Sequence, residues 1–465
     1  MNGAIFCREC LVHIHYKEEN IMDKRLYIMK NSPIKKALLY LGLPTIIGLL
    51  MTGFYNFVDS YFVAQLGTQA MGAISIVYPL ITLVPGIGLL FGNGGSAYIS
   101  ELLGANEKEK AEIVLASTLF YCLFFSILSQ FILPFLSWLL KTLGASNTIL
   151  PIAMDYADIL IISFLFHIPS VCLMNLVRAE GAIGLSTTSQ LIGSILNIIL
   201  DPILIFTFNM GIRGAALATA ISQFISFCIL IQYYLRKKSL LHLSYKNIKL
   251  QGWIIKPIFK VGIPLFAINL FQSISLSSIN IVAAPYGDHT VAALGIVNRV
   301  VGMTTFIITG FSRGYQTFIS FNYGSNNIER VKQATKTAYL WGILGGIIIS
   351  LIQILLSKPI VSAFSENHQV VSIGVHALFA GSILFFTYGF QAIAIVYLLC
   401  IKYNKAGFIF SICRQGLVFL PVLFLLEHLW SETGIFYAQA LADLITSLLI
   451  IIFLLKIKNK SAIPF

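Results

Sequence analysis

Twelve long apolar runs constrain this chain more than any other feature in it. In the first half they lie near residues 38–65, 72–100, 112–140, 150–178, 186–208 and 211–235. In the second half they lie near 256–283, 290–320, 332–357, 370–402, 405–428 and 433–457. Each is long enough to cross the roughly 30 Å hydrocarbon core of a bilayer as an α-helix. Inside that core only helices and closed barrels satisfy the backbone. The sequence therefore predicts an all-α polytopic membrane protein with twelve transmembrane helices. Composition agrees, since only 11% of the 465 residues are charged against about 25% in soluble domains. The first run is too long for a signal peptide.

The two halves repeat. Sliding the sequence by 220 residues aligns Gly42-Leu43-Pro44 with Gly262-Ile263-Pro264, Gly67 with Gly287 and Gly104 with Gly324. It also aligns Asn106 with Asn326. Each half holds six runs, and an even number returns the chain to its starting side, so the repeats are parallel. This divides the chain into an N-terminal tail (1–37), an N-lobe (38–235), a basic linker (236–255), a C-lobe (256–457) and a C-terminal tail (458–465). With the N-terminus in the cytoplasm, nearly all of the 31 Lys and Arg residues fall on the cytoplasmic side. Only Lys141, Arg213 and Lys358 fall outside, with Arg299 and Arg313 inside the eighth run. This is the positive-inside pattern. The excess of basic residues therefore reports topology and contact with anionic lipid, not nucleic acid. Both termini are expected in the cytoplasm.

The fifth run carries the chemistry. Asn197 and Asp201 are four residues apart and share one helix face. A carboxylate at mid-membrane costs about 2.5–3.5 kcal/mol and is tolerated on a bundle interior, with a partner or a cation. Pro202 has no N–H, so the carbonyl of residue 198 is freed one turn away. Carboxylate, amide oxygen and spare carbonyl are hard oxygen ligands suited to Na⁺ or H⁺. Asp59 is the other acid near mid-depth in the N-lobe.

These residues belong to a wider pattern. Pro44 precedes Tyr55-Asn56-Phe57-Val58-Asp59, and Phe91-Gly92-Asn93-Gly94-Gly95-Ser96-Ala97 ends the second run. Arg178-Ala179-Glu180-Gly181 follows the fourth run, and Gly214-Ala215-Ala216-Leu217-Ala218-Thr219 lies in the sixth. In order and spacing the chain resembles the MATE (multidrug and toxin extrusion) transporters, most closely their bacterial MepA-like branch, over roughly residues 33–455. The resemblance implies secondary active export of drugs, organic cations and amphipathic compounds, exchanged for H⁺ or Na⁺, from a bacterial cell membrane. It implies a cation site of Asp59, Asn197, Asp201 and Thr219, with Tyr55, Pro44 and Ala215 nearby, and no cofactor beyond the coupling ion. A monomer is expected. The chain departs from some family members in having no acid in the seventh and tenth runs. The repeat mate of Asp59 is Ile279, which concentrates ion coupling in the N-lobe.

Other polar residues have plainer readings. Asn175, Gln272 and Gln391 are candidates for a substrate cavity, though interhelical hydrogen bonds account for them equally well. Asp155 and Asp158 read as a solvated helix start, His167 as a polar core residue, and Glu180 as a loop salt-bridge partner of Arg178. Gly92–Gly95 reads as close helix packing. Asp443 lies near the midplane and requires a basic partner, Arg299 or Arg414. Cys7, Cys10, His13 and His15 have metal-like spacing, but Met22 and Met29 are alternative starts, so no metal site is assigned. The other five cysteines read as core residues. No nucleotide, protease or serine-nucleophile motif is present, so the chain is not read as an enzyme. Two rival readings are a lipid-linked oligosaccharide flippase, which needs a cationic cavity, and a membrane-embedded transferase, which needs clustered catalytic acids.

Overall fold

The computed structural model describes residues 26–458, apart from 144, 146, 237 and 366. The cysteine–histidine spacing at residues 7–15 lies outside the described residues. The N-lobe helices are α1 (Ile34–Ala64), α2 (Thr68–Gly104), α3 (Lys108–Leu128), α4 (Leu150–Ala179), α5 (Ile183–Pro202) and α6 (Ile212–Leu235). The C-lobe helices are α7 (Gly252–Ala283), α8 (Asp288–Gly324), α9 (Ile328–Leu355), α10 (His368–Ser382), α11 (Phe385–Cys400), α12 (Asn404–Ile412) and α13 (Phe419–Lys458). No strand occurs among the described residues.

Ten stretches among the described residues are long and apolar enough to cross a membrane, or eleven if α10 and α11, bent by 44°, count as one span. The last, Asn404–Ile457, has 54 residues, about 80 Å of straight helix and far more than a bilayer needs. It turns back at Ser431, whose φ of 52° is left-handed. Gly434 lies against the Leu426 carbonyl, so the turn is tight. Twelve spans are reached when this stretch is divided at the turn.

The repeat is visible in the backbone. Gly67 and Gly287 both have φ 103°, and Asn106 and Asn326 have φ 62° and 56°. Each pair is 220 residues apart and closes the same corner, with residue types that tolerate the left-handed region. The interface between lobes follows the same symmetry. A side chain at Gly94 of α2 would strike the Ile258 carbonyl of α7, and one at Gly314 of α8 would strike the Leu41–Gly42 backbone of α1. Gly92 and Gly95 are filled by Asn175 and Thr118 in the same way. The glycine-rich stretch of α2 is thus a packing surface on three sides, which lets helix backbones approach without side chains between them.

The lobes close most tightly at the end that carries the basic loops. Gly104 meets the Phe321 carbonyl and Gly324 meets the Glu101 carbonyl, each backbone against backbone. Beside them Lys402 Nζ lies 2.8 Å from Glu101 Oε1, joining the C-lobe to the N-lobe. The hydrogen bond to Glu101 raises the Lys402 pKa, which favours its charged form. Lys402 also sits 5.8 Å from the Tyr323 ring centroid. A cavity of about 490 Å³ adjoins this seam.

Glu180 corrects the sequence reading. It pairs with the linker, not with Arg178. Its carboxylate, fully buried, accepts from Ser239 Oγ at 2.6 Å, Leu240 N at 2.9 Å and Tyr233 Oη at 3.1 Å. The physical reason is position: Glu180 follows the last residue of α4 where the chain after α6 returns, and its carboxylate accepts from the buried donors that the return brings there. The seam between the lobes leads to a test. Gly324→Val forces a branched side chain into it, and overpacking of this kind costs about 1–3 kcal/mol. Spin labels on the 105–107 and 325–327 loops should report a wider separation in the variant than in the unmodified protein. An unchanged separation in a variant of unchanged stability would contradict the packing account.

Candidate functional site

Asp201 is fully buried and Asn197 is 2% exposed, one turn apart on the inner face of α5. Asn197 Nδ2 donates to Asp201 Oδ1 at 3.3 Å and to Thr219 Oγ1 of α6 at 3.3 Å. This uses the amide's donor end and leaves its oxygen free. Asp59, on α1, lies within hydrogen-bonding reach of Asp201. Asp59 Oδ1, Asn197 Oδ1 and Asp201 Oδ2 are buried without a partner. Three orphaned oxygens on two helices, two of them from carboxyl groups, form a donor set for a small hard cation or a shared proton. The four residues expected to converge do so.

Local structure explains why they hold position. α5 ends at Pro202, and the chain continues as one π-helical turn, Ile203–Thr207. Where that turn ends, Phe208 N donates five residues back to Ile203 O at 3.0 Å. Gly214 at the start of α6 packs against the Leu204 backbone. Further along, Ser189 Oγ donates to Ser226 O at 3.0 Å and Ser226 Oγ to Ser189 O at 3.2 Å, pinning α5 to α6 reciprocally. Gln190 Nε2 donates to Thr52 Oγ1 at 2.7 Å, tying α5 to α1. α1 itself runs through Pro44 as one helix. Ala215 is buried in α6, four residues before Thr219.

A cavity of about 150 Å³ opens beside these residues, with Thr52, Tyr55, His167, Gln190, Asn197 and Thr219 among its walls. His167 is therefore not a satisfied core residue. It faces the cavity, and its Nδ1 has no partner. Tyr156 of α4 is a site residue that sequence reasoning passes over. It is 4% exposed and close enough to feel the charges of Asp59, Asp201 and Tyr55. Its neighbour Asp155 draws attention away from it by forming an exposed ion pair with Arg213 at 2.8 Å, at the solvated helix start. The alternation of one exposed acid and one buried aromatic is the signal that points to it.

The other cavity candidates lie apart from this chamber. Asn175 donates to Val171 O at 2.8 Å and accepts from Arg178 at 3.1 Å. Gln391 is fully buried and bonds Asp443 O at 2.8 Å and Ser447 Oγ at 2.9 Å, joining α11 to α13. Gln272 is half-buried on α7. In the C-lobe, Asp443 takes Arg414 as its partner: Nε to Oδ1 is 2.9 Å and Nη2 to Oδ2 is 3.4 Å. Gln439 Nε2 adds a bond of 2.9 Å to Oδ1, and the Arg414 guanidinium lies 4.0 Å from the Tyr388 ring centroid. Arg299 is exposed and takes no part.

A two-lobed helical bundle with buried acids in one lobe and a neutralised acid in the other is the architecture of a multi-pass membrane transporter. Similarity to known proteins specifies which. The MatE family model matches twice, at residues 44–203 and 264–425, starting 220 residues apart as the internal repeat does. The chain belongs to this family, the MATE transporters, and is not an enzyme. It is 31% identical over 440 residues to the multidrug export protein MepA of Staphylococcus haemolyticus, covering 94% of this chain and 97% of that one. It is 30% identical over 439 residues to MepA of Staphylococcus aureus, covering 93% and 97%. A crystal structure of MATE in complex with MaL6 has the same fold, with a TM-score of 0.89 at 21% identity over 92% of this chain and 97% of that one.

The Arg414–Asp443 pair can be tested by what it leaves behind. Arg414→Ala strands a buried carboxylate and should destabilise the protein by about 3–5 kcal/mol. The double change Arg414→Met with Asp443→Leu removes both charges and should recover most of that loss. Thermal unfolding of detergent-solubilised protein is the measurement. Equal losses in the single and double variants would show that packing, not charge, is at stake.

Proposed function

We propose that the chain is a secondary active multidrug exporter. It would move small organic cations and amphipathic compounds out of a bacterial cell in exchange for H⁺ or Na⁺, by alternating access. The observation that carries this reading is the Asp59–Asp201 pair, buried beside the orphaned oxygen of Asn197. Two carboxylates this close in low dielectric do not both stay ionised without a cation between them. One proton, or one Na⁺ held also by Asn197 and Thr219, removes most of the repulsion. Tyr55 and Tyr156 lie near enough to the pair to feel its charge. The relatives that are named multidrug export proteins support the substrate class.

The coupling follows from charge. A cationic substrate gains from unneutralised acids and loses when they are filled, which is the sign that exchange requires. Loading from outside and release inside would bias the N-lobe between two shapes, with Pro44 as a candidate bend in α1. Each charge moved through about 100 mV releases roughly 2.3 kcal/mol, enough for about a 50-fold substrate gradient. We read the basic loops as cytoplasmic, against anionic lipid, with both termini on that side and the chain acting as a monomer. The flippase alternative finds less support, because the polar chamber of the N-lobe is acidic.

Asp201→Asn and Asp59→Asn keep side-chain size and remove charge. Each variant should fold, with little loss of stability, and should lose gradient-driven export. The measurement is substrate efflux from loaded proteoliposomes under an imposed H⁺ or Na⁺ gradient. Full efflux by both variants would sink N-lobe coupling.

A further inference from the structure

The cavity beside the seam, about 490 Å³, is of the size that holds a small molecule. It shares no residue with the N-lobe cation site. Both lobes line it. Glu101 comes from α2, Tyr323, Val331 and Tyr397 from the C-lobe helices, and Lys402 from the turn between α11 and α12. Val331 and Tyr397 are 3% and 2% exposed, so part of the wall is packed apolar and aromatic surface. Glu107 also lines the cavity, but it is exposed and paired with Lys110 at 2.9 Å. Glu101 is the carboxylate at the contact between lobes, since Gly324 lies against its backbone carbonyl.

The group that reaches this carboxylate is itself a cation on a flexible apolar stem. Lys402 Nζ lies 2.8 Å from Glu101 Oε1 and 5.8 Å from the Tyr323 ring centroid. A carboxylate and an aromatic face are the two contacts that recognise an organic ammonium. The backbone marks Lys402 out as well. Its φ of 70° is left-handed, a conformation that favours glycine or asparagine over lysine. The matching corner of the N-lobe, between α4 and α5, has Gly181 at φ 75°. A lysine kept at a corner that suits glycine points to its side chain as the reason. The Lys402 side chain is 60% exposed and that of Glu101 24%. Solvent therefore screens the pair, and a ligand that adds apolar contact to its charge can take the lysine's place.

We propose that the seam cavity is an entry site for an aromatic or amphipathic ammonium compound, whose cationic group displaces Lys402 from Glu101. The ligand's charge meets Glu101 and the Tyr323 face, and its apolar part lies against Val331 and Tyr397. Displacement breaks an ion pair that joins the C-lobe to the N-lobe, so an arriving cation loosens the seam at the end where the basic loops lie. Lys402 thus holds the site as an internal competitor. That such a ligand is a transported substrate rests on the exporter reading above; the site itself rests on the cavity and its contacts.

The test uses the purified full chain and a photoreactive probe, 4-azidobenzyl-trimethylammonium, with its neutral tert-butyl analogue as control. Labelling of the peptides that hold residues 101–107, 323–331 and 397–402 is followed by mass spectrometry as probe concentration rises. The cationic probe should label them saturably and the neutral analogue should not. Lys402→Gln removes the competitor and should tighten apparent binding by roughly two- to fivefold, the worth of a solvent-screened ion pair. Glu101→Gln removes the anchor and should weaken it by at least the same factor. The opposite signs are diagnostic, because loss of the ion pair as a purely structural tie would move both variants the same way. A shift of the same sign in both, or no tightening in Lys402→Gln, overturns the proposal. So does equal labelling by the neutral analogue, which assigns the cavity to an apolar occupant such as a lipid chain. The comparison of the two probes on the unmodified protein decides the matter even if a variant fails to fold. Asp201→Asn should keep the labelling, so failure of the coupling reading and failure of this one are distinguishable.

Discussion

The burial of Asp201 is the constraint on which the N-lobe depends. A carboxylate with no water and no basic partner is unfavourable inside a membrane by several kcal/mol. The fold compensates with an amide from its own helix, which also donates to the Thr219 hydroxyl of α6, and with a second carboxyl from α1. The second carboxyl is the telling element. A purely structural solution would place a lysine or arginine there, as the C-lobe does with Arg414 and Asp443. An acid opposite an acid is stable only with a cation or proton shared between them. The proposed exchange needs an occupancy that varies with conditions, which a fixed salt bridge does not allow.

The two lobes share a backbone plan and differ in chemistry. Left-handed glycines and asparagines recur at the same offset, and each lobe sets a glycine of its second helix against the first helix of the other. Yet Asp59 has Ile279 as its counterpart, and the C-lobe acid is tied off by Gln439 and a forked arginine that itself lies over the Tyr388 ring. The pseudo-symmetry gives two lobes that pack alike. The asymmetry leaves unpartnered buried acid oxygens in the N-lobe and a paired acid in the C-lobe. In the proposed mechanism an ion acting on one lobe alone would suffice to move the pair, because their interface is common to both.

What the sequence makes legible follows a physical divide. Local periodicity is readable, so Asn197 and Asp201 on one face of α5 and Pro202 at its end stand out from residue spacing. The 220-residue offset is readable because turn corners demand particular residue types. Contacts that arise only from tertiary packing are not. Tyr156 looks like one more aromatic at a helix start until the fold brings it near the charges of Asp59 and Asp201. Glu180 reads as a partner for its sequence neighbour Arg178, but Tyr233 of α6 and, where the chain after α6 returns, Ser239 and Leu240 supply three donors to it. His167 reads as core because nothing in its neighbourhood in sequence reveals a cavity. The need for a basic partner at Asp443 follows from depth alone. Choosing Arg414 over Arg299 requires knowing that Arg414 sits on the π-turn Cys413–Leu417, facing α13.

The seam between the lobes combines two kinds of contact. At Gly104 and Gly324 backbone meets backbone, because the missing side chains let two helices touch, and this contact carries no net charge. Glu101–Lys402, which solvent reaches, adds little by itself but orients the two ends as they meet. A transporter must keep its two arrangements within a few kcal/mol of each other, and a seam of small uncharged contacts with one solvent-screened ion pair is consistent with that balance.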